Sequence, residues 1–498
     1  MKSIILAILF TFSLVPAVNA EPKTLHDLGI KGIELTHDMQ YAEALKIFDE
    51  MIRMEPDNPM EYFFKSACYF SMYTDEKKYV KKFKDATDKA IDIAKSMLHR
   101  NPNDIDALFY LGCAYGKLGM YHVDNSHYLR AYWYGSKGIK YLNKVVEKDP
   151  EYYDAYLGLG IYNYSVSVLP NIIKSLSFLL SVHGDREKGL DEIKLSSSRG
   201  VYAKDDAKIA LINIYIDYEN DFEVAVKLLK EMIAKYPDNP INKETLAKCY
   251  RKLKKHDLSI QILKAALKSK SINEFPFMRR RLYYDLGKTY SEMNEYDQAI
   301  LAYKNALEIS QSEKGKSLSM KSRSLFYIGD SYEMMGSAEK AREYYSRIKR
   351  NENKAAYRNA RARIKKPLTP VQIKFKEGIN YYSCGKFSQA YTIFNELLDS
   401  ELKNNHADKS FEAELYYNLG RTEYELKKYQ ASIQTLQKVL ALRHVRADWI
   451  KPWAHFYLGQ NYRDTGEVEN AKHEYDIAYR FDDKALILAI DKARKEMK

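Results

Sequence analysis

Cysteine is scarce in this chain: four in 498 residues, at Cys68, Cys113, Cys249 and Cys384. No two form a CxxC pair, so the sequence offers neither a thiolate zinc site nor a dithiol redox centre. Proline and glycine are also few, 13 and 21, as befits an all-helical chain. There is no glycine-rich phosphate loop and no GxSxG elbow. No carboxylate is placed by sequence opposite a His or Ser in a recognisable catalytic arrangement. The nearest approach to a ligand set is His122-x-Asp124-x-x-His127. Two His and one Asp at this spacing match no dependable metal pattern, and the segment reads as a surface loop. The chain is therefore read as non-enzymatic, with no catalytic residue, metal or cofactor.

Charge of one sign is in mild excess, with 79 Lys and Arg against 67 Asp and Glu, a formal +12. The excess is scattered and reads as a solvated basic surface rather than a nucleic-acid footprint. One apolar run stands at the N-terminus. Residues 1–20 carry Lys2, an apolar stretch Ile4 to Val15 and a small-residue site Val18-Asn19-Ala20 before Glu21. That is the layout of a secretory signal peptide, and twelve apolar residues fall short of the ~20 a membrane span needs. No cysteine follows the cleavage site, so a lipoprotein is not expected. The expected location is the bacterial periplasm, or association with the outer membrane.

What the chain has in abundance is a spacing. A small residue is followed twelve positions later by another, and four positions after that by a large apolar one. The clearest copies are Gly287, Ala299 and Tyr303; Gly329, Ala341 and Tyr345; Gly378, Ala390 and Phe394; and Gly459, Ala471 and Tyr475. Looser copies bring the number to eleven. A period of about 34 residues means stacked helix pairs, each unable to bury its apolar face alone. The small residues are expected to let the two helices of a pair approach closely. Two copies, Ala67 with Ala90 and Gly112 with Gly138, have A-to-B gaps longer by roughly 11 and 14 residues than the repeat demands. Cys68 and Cys113 each follow the small position of helix A. Stacked A helices lie about 8–10 Å apart, beyond disulfide reach, so free thiols are expected.

The spacing, with its Leu-Gly, Tyr, Ala, aromatic and Ala positions, resembles the tetratricopeptide repeat (TPR) family. That resemblance implies an all-α fold, a right-handed α-α superhelix of about 11 helix pairs. It also implies a concave groove lined by helix-A residues, three before and one after the small residue. Carried onto this chain, the groove positions are Phe64, Phe109, Tyr284, Phe326, Phe375, Tyr417 and Phe456, with Lys288 and Arg421 beside them. The Lys and Asn that TPR co-chaperones use to clamp a carboxylate tail are absent from these positions. Aromatic and Arg residues are common interface anchors, although the same rings also suit packing against the next repeat.

Four blocks follow the signal: irregular repeats over 21–204 with a helical insertion, tighter repeats over 205–350, a basic hinge over 351–370, and C-terminal repeats with a capping helix over 371–498. The insertion is an apolar segment, Val166 to Val182. Its surroundings, Leu169-Pro170 and Gly184-Asp185-Arg186-Glu187-Lys188-Gly189-Leu190, resemble a motif of the eukaryotic tetratricopeptide domain-39 family, which includes mitochondrial outer-membrane proteins. The resemblance covers about a tenth of the chain and implies work close to a membrane. The expected function is an exported scaffold that binds a protein or extended peptide in its groove and helps organise a cell-envelope complex. The alternative is docking to a membrane surface or acidic polymer through 166–182 and the basic residues of 349–366. No nucleic-acid partner is expected.

Overall fold

The computed structural model describes residues 24–75, 77–168, 184–312, 318–403, 409–443 and 445–497. Residues 1–20, read from sequence as a signal peptide, lie outside them. The described residues form α-helices and two short 3-10 turns, with no strand among them. The chain divides into two compact units that meet at Gly158 and Leu159.

The first unit holds α1 (Leu25–His37), α2 (Tyr41–Met54), α3 (Pro59–Asp75), α4 (Val80–Arg100), α5 (Ile105–Asp124), α6 (Tyr128–Lys148) and the start of α7 (Ala155–Ser167). The second continues α7 and adds α8 (Arg186–Arg199), α9 (Lys204–Asp217), α10 (Phe222–Lys235), α11 (Pro240–Lys252), α12 (His256–Ala266), α13 (Pro276–Glu292) and α14 (Tyr296–Ser312). It goes on through α15 (Leu318–Met334), α16 (Ala338–Ser346), α17 (Lys354–Lys365), α18 (Pro370–Ser383), α19 (Phe387–Lys403) and α20 (Lys409–Glu425). It ends with α21 (Tyr429–Ala441), α22 (Ile450–Asp464), α23 (Val468–Tyr479) and α24 (Lys484–Lys495). Consecutive helices pair, leaving α17 and α24 single, which makes eleven helix pairs among the described residues.

Side chains start many of these helices. Asp104, Asp221, Asn353 and Asp483 each accept a hydrogen bond from a backbone N–H of the first turn. Thr24 and Thr369 form capping boxes, and Asn239 caps α11 with Pro240 as its first residue. Such caps satisfy backbone donors that the helix itself cannot. The turn inside nine of the eleven pairs uses one device. A single residue takes a left-handed conformation, and the next N–H bonds back to the carbonyl five residues earlier, or six in the case of Asp221 N to Tyr215 O. Gly336, Gly385, Gly466, Asn220 and Asn294 fill this position, and so do Met39, Ser126, Lys254 and Lys427. The bonds Glu295 N to Tyr290 O (2.9 Å) and Lys386 N to Tyr381 O (2.8 Å) are examples.

The structure gives the repeat its physical meaning. In the regular pairs the large B-helix residue sits directly on the small A-helix residue. A Cβ added to Gly287 would lie 2.7 Å from the Tyr303 ring; at Gly329 the obstacle is Tyr345 at 2.7 Å, at Gly378 Phe394 at 2.8 Å and at Gly459 Tyr475 at 2.5 Å. Ala299, Ala341, Ala390 and Ala471 are buried at the same crossings. The glycine thus seats a ring more than it brings two backbones together.

Backbone does meet backbone in the elongated pairs. In α5–α6, a Cβ on Gly138 would lie 2.8 Å from Gly112 O, and one on Gly119 would lie 3.3 Å from Ala131 O and Gly135 N. Gly112, Gly116 and Gly119 repeat with the spacing of Ala131, Gly135 and Gly138. Each helix therefore runs about two turns past the ordinary crossing, seven residues each, which accounts for the gap of 14. The α7–α8 pair behaves alike: a Cβ on Gly160 would lie 2.7 Å from Gly189 O. Most of the segment read from sequence as an apolar insertion, 166–182, lies outside the described residues. Tyr164, fully buried, donates to Glu219 Oε1 at 2.5 Å, and Arg186 Nε donates to the same oxygen at 2.9 Å. Those bonds tie α7 and α8 to the end of α9.

The stretch read as a basic hinge is helix α17, packed through Ala356 and Ala360 into the core of the preceding repeats. Its Arg363 donates to Asp330 Oδ1 at 2.6 Å and lies 3.4 Å from Glu333 Oε2. Asp330 also accepts from Lys376 on α18 at 3.0 Å, and Glu333 accepts from Leu368 N at 2.6 Å. These bonds fix the α17–α18 junction. There the stacking breaks: α18 packs against α13, two pairs back. Asn380 donates to Ser291 O at 3.1 Å and to Asn294 Oδ1 at 2.8 Å, and Lys254 pairs with Glu425.

Candidate functional site

This fold-back encloses a cavity of about 1050 Å³ within the second unit. One wall comes from α9, α11, α13, α15 and α17; the opposite wall comes from Tyr382 and Ser383 on α18 and Arg421 on α20. Lys or Arg occupies seven lining positions, Asp or Glu three. The aromatic floor is Tyr284, Phe326 and Tyr327. Tyr284 meets Tyr327 edge-on at 5.8 Å, and Phe326 meets Tyr327 at 5.4 Å.

Several of the cations are only partly committed. Arg421 lies 3.9 Å from the Tyr382 ring centre and 5.3 Å from that of Tyr417, and its Nε has no hydrogen-bond partner. Arg251 reaches Asp285 at 4.0 Å, leaving Nη1 without a partner. Arg323 is exposed. The carboxylates differ in character. Burial, reinforced by Glu244 beside it, pushes the Asp285 carboxyl up to about 6. Burial also opposes ionisation of Glu292, but the hydrogen bond from His256 and the charges of Arg251 and Lys288 outweigh it and hold the carboxyl below its ordinary value. The cavity thus has an aromatic floor within a lining of mixed polarity, and positive charge is in excess around it. It suits an extended segment that presents apolar side chains and carboxylates.

Of the groove residues read from sequence, Tyr284, Lys288, Phe326 and Arg421 come together here. The others are packed between helices rather than open to a groove. Phe64 contacts Phe48 and Tyr110, and Phe109 contacts Tyr152 at 4.7 Å. Phe375 contacts Phe394 and Phe411, Tyr417 contacts Trp449, and Phe456 contacts Trp453 and Tyr475. All five are less than a tenth exposed. At these five positions the ring reaches a neighbouring element and is spent there. Reasoning by position missed Arg251, Arg323 and Tyr382. Lys248 was findable, because it stands one residue after Ala247 just as Lys288 follows Gly287. His122 is buried against Tyr134 at 5.3 Å, and its carbonyl accepts from His127 N at 2.8 Å in the α5–α6 turn. The four cysteines are free thiols.

Helix pairs with this crossing and this turn define a TPR solenoid, a class of typically non-catalytic protein-interaction scaffold. The chain carries tetratricopeptide repeats: models of the repeat match residues 278–350, 244–273 and 413–443. It is similar to the TPR repeat-containing protein MJ1428 of Methanocaldococcus jannaschii, 27% identical over 243 residues, covering 46% of this chain and 37% of that protein. The chain thus spans well under half of that relative's length. Among solved structures, a tetratricopeptide repeat protein from Parabacteroides merdae is 16% identical, covering 58% of this chain and 97% of its own, with a TM-score of 0.26. The TPR domain of P58(IPK) is 15% identical over 89% of this chain and 98% of its own, with a TM-score of 0.21. TM-scores this low carry no weight for shape; the helix crossings described above define the fold.

Proposed function

We propose that this chain is an exported, non-enzymatic scaffold that holds an extended, acidic segment of a partner protein in the second-unit cavity. It would thereby help organise a complex of the bacterial cell envelope. The cavity carries the reading: half-buried rings line its floor, and its cations outnumber its carboxylates. Apolar contact would supply affinity and the cationic rim register and association rate. The leader-like residues 1–20 support export.

The test is capture from bacterial envelope extract by the chain and by two cavity variants. One is Phe326→Ala; the other is Lys252→Glu with Arg323→Glu, both exposed at the rim. A defined protein retained by the parent and lost by both variants supports the reading. Equal capture by all three overturns it.

A further inference from the structure

The free end of the α5–α6 hairpin is unlike the rest of the surface. Met120, Val123, Tyr128, Leu129 and Trp133 fall within fourteen residues and are 43%, 53%, 69%, 84% and 50% exposed. They include the two most exposed large hydrophobic residues of the described chain. No packing reason places them there, because the hairpin is already closed by its glycines on the opposite side. Exposed apolar residues scattered singly are ordinary, but a cluster at one tip is not.

Beside this tip lies the start of α4. Phe83 contacts Tyr121 with ring centres 5.7 Å apart, and Lys84 stands 4.5 Å over the Tyr121 ring. The run from Lys77 to Lys84 holds five lysines; Lys81 pairs with Asp85 at 2.6 Å, and the other four have no carboxylate within the run. On the hairpin itself, Arg130 is exposed, and the Lys137 ammonium lies 3.7 Å over the Trp133 ring. The edge therefore combines aliphatic side chains at its extremity, Tyr and Trp with amphipathic rings, and lysines whose stems lie along aromatic surface. These are the elements of a surface that seats in the headgroup region of a bilayer, with rings at the interface and cations on anionic phosphates. No helix among the described residues is long and apolar enough to cross a membrane.

We propose that the α5–α6 tip, with the lysine run of α4, docks the first unit onto an anionic lipid surface. This site is separate from the cavity and does not rest on the reading of the cavity. Positive charge on the edge complements negative lipid, and the exposed Leu129 and Val123 enter the acyl boundary.

The test uses the full chain with vesicles of phosphatidylcholine, alone or with about 30% phosphatidylglycerol. Trp133 reports locally, as the emission of the parent minus that of Trp133→Phe. The expected result is a blue shift of this difference emission on anionic vesicles, quenched by brominated acyl chains. Affinity should fall at least about tenfold on neutral vesicles, and similarly in high salt. Val123→Ser with Leu129→Ser, and separately Lys77, Lys81 and Lys82→Glu, should each weaken the shift about tenfold. Thermal melts check that both variants remain folded. The proposal is overturned if the difference emission is unmoved by anionic vesicles, if neutral vesicles serve equally well, or if the lysine variant binds like the parent. A membrane attachment elsewhere in the chain would leave Trp133 unmoved, so it cannot pass for this one.

Discussion

Gly135 and Gly138 stand one turn apart on α6 and should respond to the same substitution with opposite signs. A Cβ on Gly135 meets nothing within 4 Å, whereas one on Gly138 lies 2.8 Å from Gly112 O and 3.1 Å from Gly116 N. Replacing a mid-helix glycine by alanine is worth about 0.8–1.0 kcal/mol where space allows, because the unfolded chain loses freedom and the helix does not. Gly135→Ala should therefore stabilise the hairpin by roughly that amount. At position 138 the same gain is opposed by an obstacle that is backbone, not a rotatable side chain. To bring that contact to an ordinary 3.4 Å, the helices must separate by roughly 0.6 Å. The shift is felt along two turns, because Gly119 is itself 3.3 Å from Ala131 O by the same measure. Overpacking of this kind costs about 1–3 kcal/mol, so the net effect of Gly138→Ala is a loss of up to about 2 kcal/mol. The two variants should differ by about 1–3 kcal/mol, or roughly 5- to 150-fold in local opening. Native-state hydrogen exchange of the α5 and α6 amides is the suitable assay, since a repeat array need not unfold in one step. If both variants move protection in the same direction, the close approach of α5 and α6 is wrongly described.

Glu61 is fully buried and neither carboxylate oxygen has a hydrogen-bond partner. Burial, with Glu55 adding repulsion, raises its carboxyl to about 8. The folded state then holds a proton that the unfolded chain releases near its ordinary value. Stability of the first unit should accordingly be full below about pH 4.5 and fall as pH rises toward 8, by on the order of 3 kcal/mol. Glu61→Gln should flatten that slope in denaturant melts between pH 5 and 8, and a slope unchanged by the substitution would sink the assignment. Glu333, also buried, receives Leu368 N, the Tyr345 hydroxyl (2.8 Å) and Arg363. Glu333→Ala should loosen the α17–α18 junction by about 3–5 kcal/mol. Tryptic cleavage between Arg361 and Lys366 should accelerate at least tenfold, and an unchanged cleavage rate would show that the junction is held by something else.

The helix pairs were legible in residue order alone, because their cause is local and periodic. A glycine, an alanine twelve residues on and a ring four further are one packing event written in one line, as Gly287, Ala299 and Tyr303 show. The two long hairpins were visible as gaps but not as structure, since a gap does not say whether it is loop or helix. The glycine ladder of α5 and α6 explains the longer one only once the two helices are seen face to face. Which rings are open was not legible either. Phe326 and Phe375 occupy the same repeat position, yet one lines a cavity and the other packs on Phe411. The difference arises at the α17–α18 junction, where Asp330 and Glu333 gather Arg363, Lys376 and Leu368 N and turn the later helices back toward α13. That closure joins residues more than eighty positions apart, such as Asn294 and Asn380. No short-range pattern encodes such a contact, so the cavity and its cationic rim belong to the tertiary structure alone.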